Sequence, residues 1–75
     1  MPEITIKIGE RDFQVTCEAG EEESLQQAAD LLDHEAGTLQ SSIGRMPEPR
    51  MLLMAGLMLA DRTVELAKRL HEVDL

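Results

Sequence analysis

Residues 51–70 read MLLMAGLMLADRTVELAKRL, and this stretch determines the fold that the rest of the chain has to adopt. From Met51 to Ala60 the sequence is apolar on every side of a helix, and such a helix has to be enclosed by other structure. The apolar run is only ten residues long, whereas a helix that spans a bilayer needs about 20. We therefore predict a helix that is buried against protein and is not inserted into a membrane.

In heptad register, two apolar stripes run along this helix. The first stripe has the alternating four-residue and three-residue spacing of a coiled coil and persists to Val73, whereas the second fades after Ala67. We therefore expect the second stripe to face the chain's own head, meaning the residues before this helix, and the first to pair with a partner helix. The spacing alone also allows the reverse assignment. The first stripe, our predicted dimer interface, comprises Leu52, Gly56, Leu59, Thr63, Leu66, Leu70 and Val73, and the second comprises Leu53, Leu57, Ala60, Val64 and Ala67.

Residues 3–18 are predicted to form a β-hairpin. Two segments alternate apolar and polar side chains with the period of a strand that has one buried face. Their apolar residues are Ile4, Ile6 and Ile8, followed by Phe13, Val15 and Cys17. Residues 9–12, which begin with Gly9, are predicted to form the turn. Two strands alone are barely stable in water, so a helix has to cover their apolar face.

A first helix is predicted from residue 21 to residue 43. Three consecutive glutamates, 21–23, place negative charge where a helix N-terminus favours it. Apolar residues then follow at helical spacing. They are Leu25, Ala28, Ala29, Leu32, Ala36, Leu39 and Ile43. Gly37 lies inside this helix, and the sequence gives no reason for a glycine there beyond close packing.

The fold class predicted from these elements is α+β. Gly44 and Pro49 delimit the connection between the helices, and the second helix is predicted over residues 49–75. Residues 1–75 then form a single domain with an N-terminal β-hairpin, one amphipathic helix, and a long C-terminal helix that forms a dimeric coiled coil or bundle.

The size and cysteine content of the chain indicate that it associates with other copies. With 75 residues, the domain buries only about 60% of the surface that the unfolded chain exposes. Cys17 is the only cysteine, and Cys17, His34 and His71 are too few for a structural zinc site, which takes four ligands. Oligomerisation is the remaining way to stabilise so small a domain. The alternative is a monomer whose second helix is wrapped entirely by its own head.

Nearly all of the excess negative charge lies in the middle of the chain. The formal net charge is −8; residues 18–44 hold seven acidic and no basic side chains, whereas residues 45–75 hold five of each. No basic run of the kind that binds nucleic acid is present in the sequence. The N-terminus lacks the charged-then-apolar pattern of a signal peptide, and a single unpaired cysteine fits a reducing compartment. We therefore expect a cytoplasmic protein that does not bind nucleic acid.

No group of residues predicts catalysis or a cofactor. Cys17 is expected to be a buried structural thiol, because a nucleophile would need a base and an oxyanion site. His34 follows Asp30 by one helical turn, which leaves a weak metal site as the alternative to a solvated polar face. His71 is expected to meet solvent or a partner. We predict that the protein is not an enzyme.

The order of these features resembles the ZapA family of bacterial cell-division proteins. The resemblance rests on the two strands, with Cys17 at the end of the second, on LQQAA at residues 25–29 with Leu32-Asp33, and on MLLMAGLMLAD at residues 51–61. It implies a homodimer formed through the long helices, with a tetramer possible through an extended coiled coil. Many members continue well past the position of Leu75, so a dimer is the expectation for this sequence.

The resemblance also implies a partner and a location. Members of the family bind the tubulin-like GTPase FtsZ and cross-link or bundle its filaments in the Z-ring, at the division septum. Basic side chains around the hairpin are implied to contact the filament. Arg11 matches one such place to within one residue, Gln14 stands where a second basic residue can occur, and Lys7 is exposed on the strand face opposite the isoleucines. Lys7, Arg11 and Gln14 are therefore the implied FtsZ-binding residues.

A function of another class is also compatible with the charge distribution. The chain could be a small acidic inhibitor of the antitoxin type that masks a basic partner with its first helix. Such a complex should weaken steeply with ionic strength. Charge reversal at Glu21–Glu23 should abolish masking and barely affect filament bundling.

Overall fold

The computed structural model describes residues 1–73, except for the side chains of Glu72 and Val73. In this part of the chain the elements are strands β1 (Glu3–Ile8) and β2 (Arg11–Thr16), followed by helices α1 (Glu22–Ser42) and α2 (Glu48–Val73). The predicted α+β order of a hairpin and two helices is confirmed. The predicted end of the second helix, residue 75, lies outside the described residues.

The hairpin is closed by a turn shorter than the sequence predicts. Gly9 and Glu10 are the only residues between the strands, with φ angles of 60° and 68°, whereas Arg11 is already paired with Ile8 in the sheet. Two successive positive φ values match the right-handed twist of the flanking strands, so a two-residue turn replaces the predicted four-residue one. The strands pair without a bulge from Glu3 opposite Thr16 up to the turn.

Gly9 ties the hairpin to both helices. Its amide donates a hydrogen bond of 2.8 Å to the Asp33 carboxylate of α1, and its carbonyl accepts one of 3.4 Å from the Gln40 side chain. The buried Met51 side chain at the start of α2 lies directly against the Gly9 backbone. The turn, α1 and α2 therefore meet at one residue that has no side chain.

Substitution of Gly9 by alanine is expected to destabilise the protein by at least about 1–2 kcal/mol. An L-residue is disfavoured at positive φ by roughly this amount, and the new Cβ would overlap the sulfur of Met51, so the end of that buried side chain would have to shift within the core. Urea denaturation at fixed protein concentration measures the loss. Gly20→Ala is the matched control, because Gly20 also has a positive φ of 93° but its Cβ would meet nothing within 4 Å. Equal losses in both variants would show that the contact with Met51 does not matter.

The core lies between the inner face of the hairpin, α1 and the first turns of α2. Its buried apolar residues are Ile6, Ile8, Ala29, Ala36, Leu39, Met51 and Ala55. Gly37 does not contribute to this packing: it is exposed, and a Cβ there would meet nothing within 4 Å. Close packing therefore does not account for Gly37, which follows Ala36 onto the solvent side of α1.

The elements pack in series. β1 packs against α1 and α1 against α2, whereas β2 pairs with β1 and reaches the helices only through side chains, one of which is Arg11 in its ion pair with Glu48 of α2. The resulting body is flat, with principal dimensions of 42 × 37 × 15 Å. Its smallest dimension is little more than the diameter of one helix. A body this thin cannot enclose α2 on all sides, so much of α2 is uncovered.

Candidate functional site

The head consists of β1, β2 and α1. Most residues on the side of α2 that faces the head belong to neither stripe. Met51 and Ala55 are fully buried there, and the half-buried Met58 continues the same line. Alanine lets the two helices approach closely, and the flexible methionine side chains fill the irregular space against the turn. The heptad pattern does not predict this side of α2, because the pattern is defined by the spacing of leucines and this side carries methionine and alanine.

The second stripe points away from the head, contrary to expectation. Leu53 and Leu57 are 63% and 61% exposed, and Val64 is half exposed. These residues lie about half a helical turn from Met51 and Ala55, given 3.6 residues per turn. The expectation that the second stripe covers the head is therefore wrong, and this stripe is an open apolar surface.

The first stripe changes character along the helix. Near the head, Leu52, Gly56 and Leu59 are half-buried, and Leu52 touches the core. Beyond the head, Leu66 and Leu70 are 59% and 69% exposed. Both stripes thus leave large apolar side chains in water beside one another, which is unusual for a surface that has no partner.

Thr63 is compatible with an apolar interface despite its hydroxyl. The Thr63 hydroxyl donates a hydrogen bond of 3.0 Å to the Leu59 carbonyl one turn earlier, so the polar group is satisfied within the helix. Val73 ends α2, but its side chain lies outside the described residues. His71 is exposed and borders a shallow groove with Val64, Ala67 and Lys68.

A buried ion pair, which the sequence analysis missed, joins the two helices. Glu35 of α1 has a side chain that is only 1% exposed, and its Oε1 lies 2.6 Å from Nη1 of Arg62, whose side chain is 59% exposed. The second oxygen, Oε2, has no hydrogen-bond partner among the described residues. Removing one charge from such a pair leaves the other uncompensated, which is costly. The pair therefore favours the packing of α1 and α2 that keeps Arg62 next to Glu35.

The three implied FtsZ-binding residues do not share one face. Lys7 and Gln14 are both exposed on the outer face of the hairpin, where Lys7 lies opposite Asp12 and Gln14 opposite Thr5. Arg11 lies on the inner face and forms an ion pair of 3.3 Å with Glu48, in the first turn of α2. The structure therefore brings Lys7 and Gln14 together and places Arg11 at the edge of the core.

The acidic start of α1 is ordered by its own backbone. Glu21–Glu23 are all exposed, and the Glu22 carboxylate accepts a hydrogen bond of 2.6 Å from the Gly20 amide. Gly20 precedes the helix, so this bond closes the turn before α1, and the negative charge of Glu22 in the first turn is favoured by the helix dipole. This contact gives Glu22 a structural role that needs no basic partner.

The Cys17 thiol is a poor nucleophile in this environment. It is buried just after β2, and burial raises the pKa of Cys17 above its ordinary value, as do the carboxylates of Glu22 and Glu21. Because the thiolate is the reactive form, a raised pKa lowers reactivity. Among the described residues, no cluster of histidine, cysteine and carboxylate side chains is placed to hold a metal ion. No helix in residues 1–73 has the length and hydrophobicity needed to cross a membrane.

Comparison with known proteins adds a family and a fold. Residues 4–74 match the model of the family described as "Cell division protein ZapA". A solved structure described as "Unknown conserved bacterial protein from Pseudomonas aeruginosa PAO1" superimposes with a TM-score of 0.86 at 23% sequence identity, covering 99% of this chain and 81% of that one. At this level of identity the likeness shows the fold alone. No curated protein sequence matches the chain.

Proposed function

The chain belongs to the ZapA family of cell division proteins, and we propose on that basis that it is a non-enzymatic assembly factor that dimerises through α2 and cross-links FtsZ filaments. It would act in the cytoplasm at the mid-cell division septum. The observation that carries the proposal is the row of exposed apolar side chains on α2, which continues well beyond the head. A helix surface of this kind is stable in water when a second copy covers it.

The proposed dimer interface is the first stripe, with the second stripe along its flank. Gly56, Ala60, Thr63 and Ala67 are small residues that lie between the two rows of larger side chains, as 3.6 residues per turn requires. Small residues along the middle let a second helix approach closely, and the larger side chains on either side then pack around it. Burial of the remaining exposed area of each leucine contributes on the order of 1 kcal/mol.

Dimerisation supplies the cross-linking activity in this proposal. A dimer carries two copies of the filament-binding surface on one rigid body, so it can bridge two filaments. Weak binding at each site is sufficient, because the second contact benefits from a high effective concentration. A tetramer would add further sites by the same principle, and a dimer is the minimum that the proposal needs.

The outer face of the hairpin is the proposed FtsZ-binding surface. Lys7 and Gln14 are exposed on it, on a different element from the apolar stripes of α2. Arg11 lies on the opposite, inner face beside the turn and is engaged by Glu48, with 29% of its side chain exposed. We therefore expect Lys7 to contribute directly and Arg11 to contribute while it remains positively charged.

Charge reversal at Lys7 or Arg11 is expected to weaken co-sedimentation with polymerised FtsZ by about three- to tenfold, the size of effect typical of a charge at the rim of an interface. Arg11→Glu also breaks the ion pair with Glu48, so the exchange of charges, Arg11→Glu with Glu48→Arg, serves as its control. The exchange restores the internal pair but not the positive charge at position 11. If the exchange recovers full pelleting, Arg11 acts only through Glu48 and is not part of the contact. The loss of dimers, measured by analytical ultracentrifugation, should be negligible in all three variants.

A further inference from the structure

The outer edge of β2 is a row of backbone groups without a partner among the described residues. Ile8 and Arg11 flank a two-residue turn and so form a hydrogen-bonded pair, and the antiparallel alternation then turns the amides of Asp12, Gln14 and Thr16 outward. The other edge of β2 is paired with β1, and no third strand pairs with β2 among the described residues. Phe13 and Val15 pack against the core from the inner face of β2 and leave its outer edge open. A free strand edge of this kind is a template for another strand.

β2 has one of the features that keep a free edge from pairing, the inward-pointing charge of Arg11, and that charge is already paired with Glu48. Lysine, proline and bulges also protect such edges, and none of them occurs within Arg11–Thr16. The two charges of β2 already have neighbours of opposite sign in the same chain, since Asp12 lies opposite Lys7 and Arg11 pairs with Glu48. The edge therefore presents no unbalanced charge that would repel a second copy of itself.

We propose that β2 pairs antiparallel with β2 of a second copy of this chain, centred on Gln14, to form a four-stranded sheet. In this register Gln14 faces Gln14, and Asp12 faces Thr16, as hydrogen-bonded pairs that use the outward amides. Phe13 then lies opposite Val15 on the inner face, where both side chains are half-buried in the single chain. Apolar pairs directly opposite one another stabilise a sheet.

The neighbouring registers are less favourable. Pairing centred on Asp12 would place two aspartates opposite each other, and like charges in that position are destabilising. Pairing centred on Phe13 would place Phe13 opposite itself but the Arg11 side chain opposite Val15, and pairing centred on Val15 would place Asp12 opposite Glu18, a second pair of like charges. The register centred on Gln14 also uses the whole strand from Asp12 to Thr16, because each outward amide finds a partner.

The helices leave room for this sheet. Neighbouring strands are about 4.8 Å apart, so the two β1 strands of the four-stranded sheet would be roughly 14 Å apart. Each α1 packs on its own β1, and a helix is about 10 Å across. The gap of about 4 Å between the helices lies under the two β2 strands, where the side chains of Phe13 and Val15 can fill it.

This contact goes beyond the proposed pairing through α2, since it uses a different element and different chemistry. Each of the two contacts is self-complementary, so each joins two copies around a two-fold axis. If the axes coincide, one dimer has both contacts. If they differ, copies joined through α2 are linked further through their sheets, which increases the number of filament-binding surfaces in one assembly.

The pairing is tested by NMR on the protein at the concentration at which it is dimeric. Opposite residues of a non-hydrogen-bonded pair have Cα atoms about 4.5 Å apart, whereas Phe13 and Val15 of one strand are separated by nearly 7 Å. A nuclear Overhauser effect between the Hα atoms of Phe13 and Val15, in a sample that mixes labelled and unlabelled chains, is therefore expected only across the interface. The Gln14 amide should also exchange with solvent at least about 100-fold more slowly than a free edge amide.

Two proline variants distinguish loss of the pairing between chains from loss of the hairpin itself. Gln14→Pro removes an outward amide of β2, and Thr5→Pro removes the outward amide of the directly opposite residue of β1, so neither breaks the bonds between β1 and β2. Only Gln14→Pro should return the amides of Asp12 and Thr16 to fast exchange. Fast exchange at Gln14 in the unmodified dimer would overturn the sheet pairing and leave the α2 interface untouched. Protection that develops only after FtsZ is added would also overturn it, because the edge would then be filled by the filament.

Discussion

Arg62→Ala is expected to destabilise the protein by about 2–3 kcal/mol, because it leaves the carboxylate of Glu35 buried without a countercharge. Removal of one partner of a buried pair costs roughly 3–5 kcal/mol, and the exposure of 59% at Arg62 places the expected loss at or below the lower end of that range. For a domain of this size the melting temperature should fall by at least about 10 °C. Because a dimer is stabilised by mass action, unfolding is compared at one protein concentration.

The double variant Glu35→Met, Arg62→Met separates the pair itself from the cost of an unpaired charge. Methionine fills the space of either side chain, and apolar residues in place of a buried ion pair are often neutral or stabilising. The double variant should therefore recover most of the stability that Arg62→Ala loses. A loss below about 0.5 kcal/mol in Arg62→Ala, or a double variant as unstable as the single one, would contradict a stabilising role for this contact.

Most of the fold could be predicted because its elements obey simple periods. The strict alternation of Ile4, Ile6 and Ile8 identifies a strand with one buried face, and the structure has it. The turn could not be predicted in detail, because its length depends on Glu10 accepting a positive φ, which its residue type does not favour. Local sequence decides which element forms, whereas the fit between strands decides where it ends.

The sequence prediction was wrong mainly about which side of α2 faces the head, and the reason is physical. Leucines at heptad spacing mark the surface that a second helix can cover, and this need not be the surface that contacts the head. The head contact uses Met51 and Ala55, whose value lies in flexibility and small size rather than in hydrophobic area. Hydrophobic periodicity gives methionine and alanine little weight. It therefore cannot distinguish the contact of α2 with its own head from a contact with a second copy.

Glu35 and Arg62 were missed for a related reason. A glutamate within an acidic helix is usually solvated, and only its spacing pointed elsewhere: Glu35 precedes the buried Leu39 by one turn, and Arg62 follows Met58 by one turn on the side that faces the head. The sequence did contain one signal for this pair. One acidic and one basic residue each lie at helical spacing from apolar residues of their own helix. The pairing itself depends on how the helices cross, which the sequence does not specify.

Leu66→Glu is expected to convert the dimer into a folded monomer, with the dissociation constant raised by on the order of 100-fold or more. Leu66 is 59% exposed and contacts no core residue, so the head should remain folded. A two-fold interface contains the substitution twice, and each copy loses apolar burial and has to bury or expel a carboxylate. Sedimentation velocity and the urea midpoint of the same sample distinguish loss of the dimer from loss of the fold.

Leu57→Glu and Arg69→Glu define the extent of the interface. Leu57 lies on the second stripe, so its substitution should weaken the dimer less than Leu66→Glu if the first stripe is the centre of contact, and more if the assignment is reversed. Arg69 is exposed and belongs to neither stripe, so Arg69→Glu should leave the dimer intact while changing the charge more than either leucine variant does.

The same variants connect association with function. A monomer keeps its hairpin and so keeps one filament-binding surface, but it cannot bridge two filaments. Leu66→Glu should therefore still pellet with FtsZ at high concentration, while the light-scattering signal of bundled filaments disappears. A Leu66→Glu protein that remains a folded dimer would place the interface elsewhere on α2. Bundling by a proven monomer would instead separate filament association from dimerisation altogether, and the exposed leucines would then need another explanation.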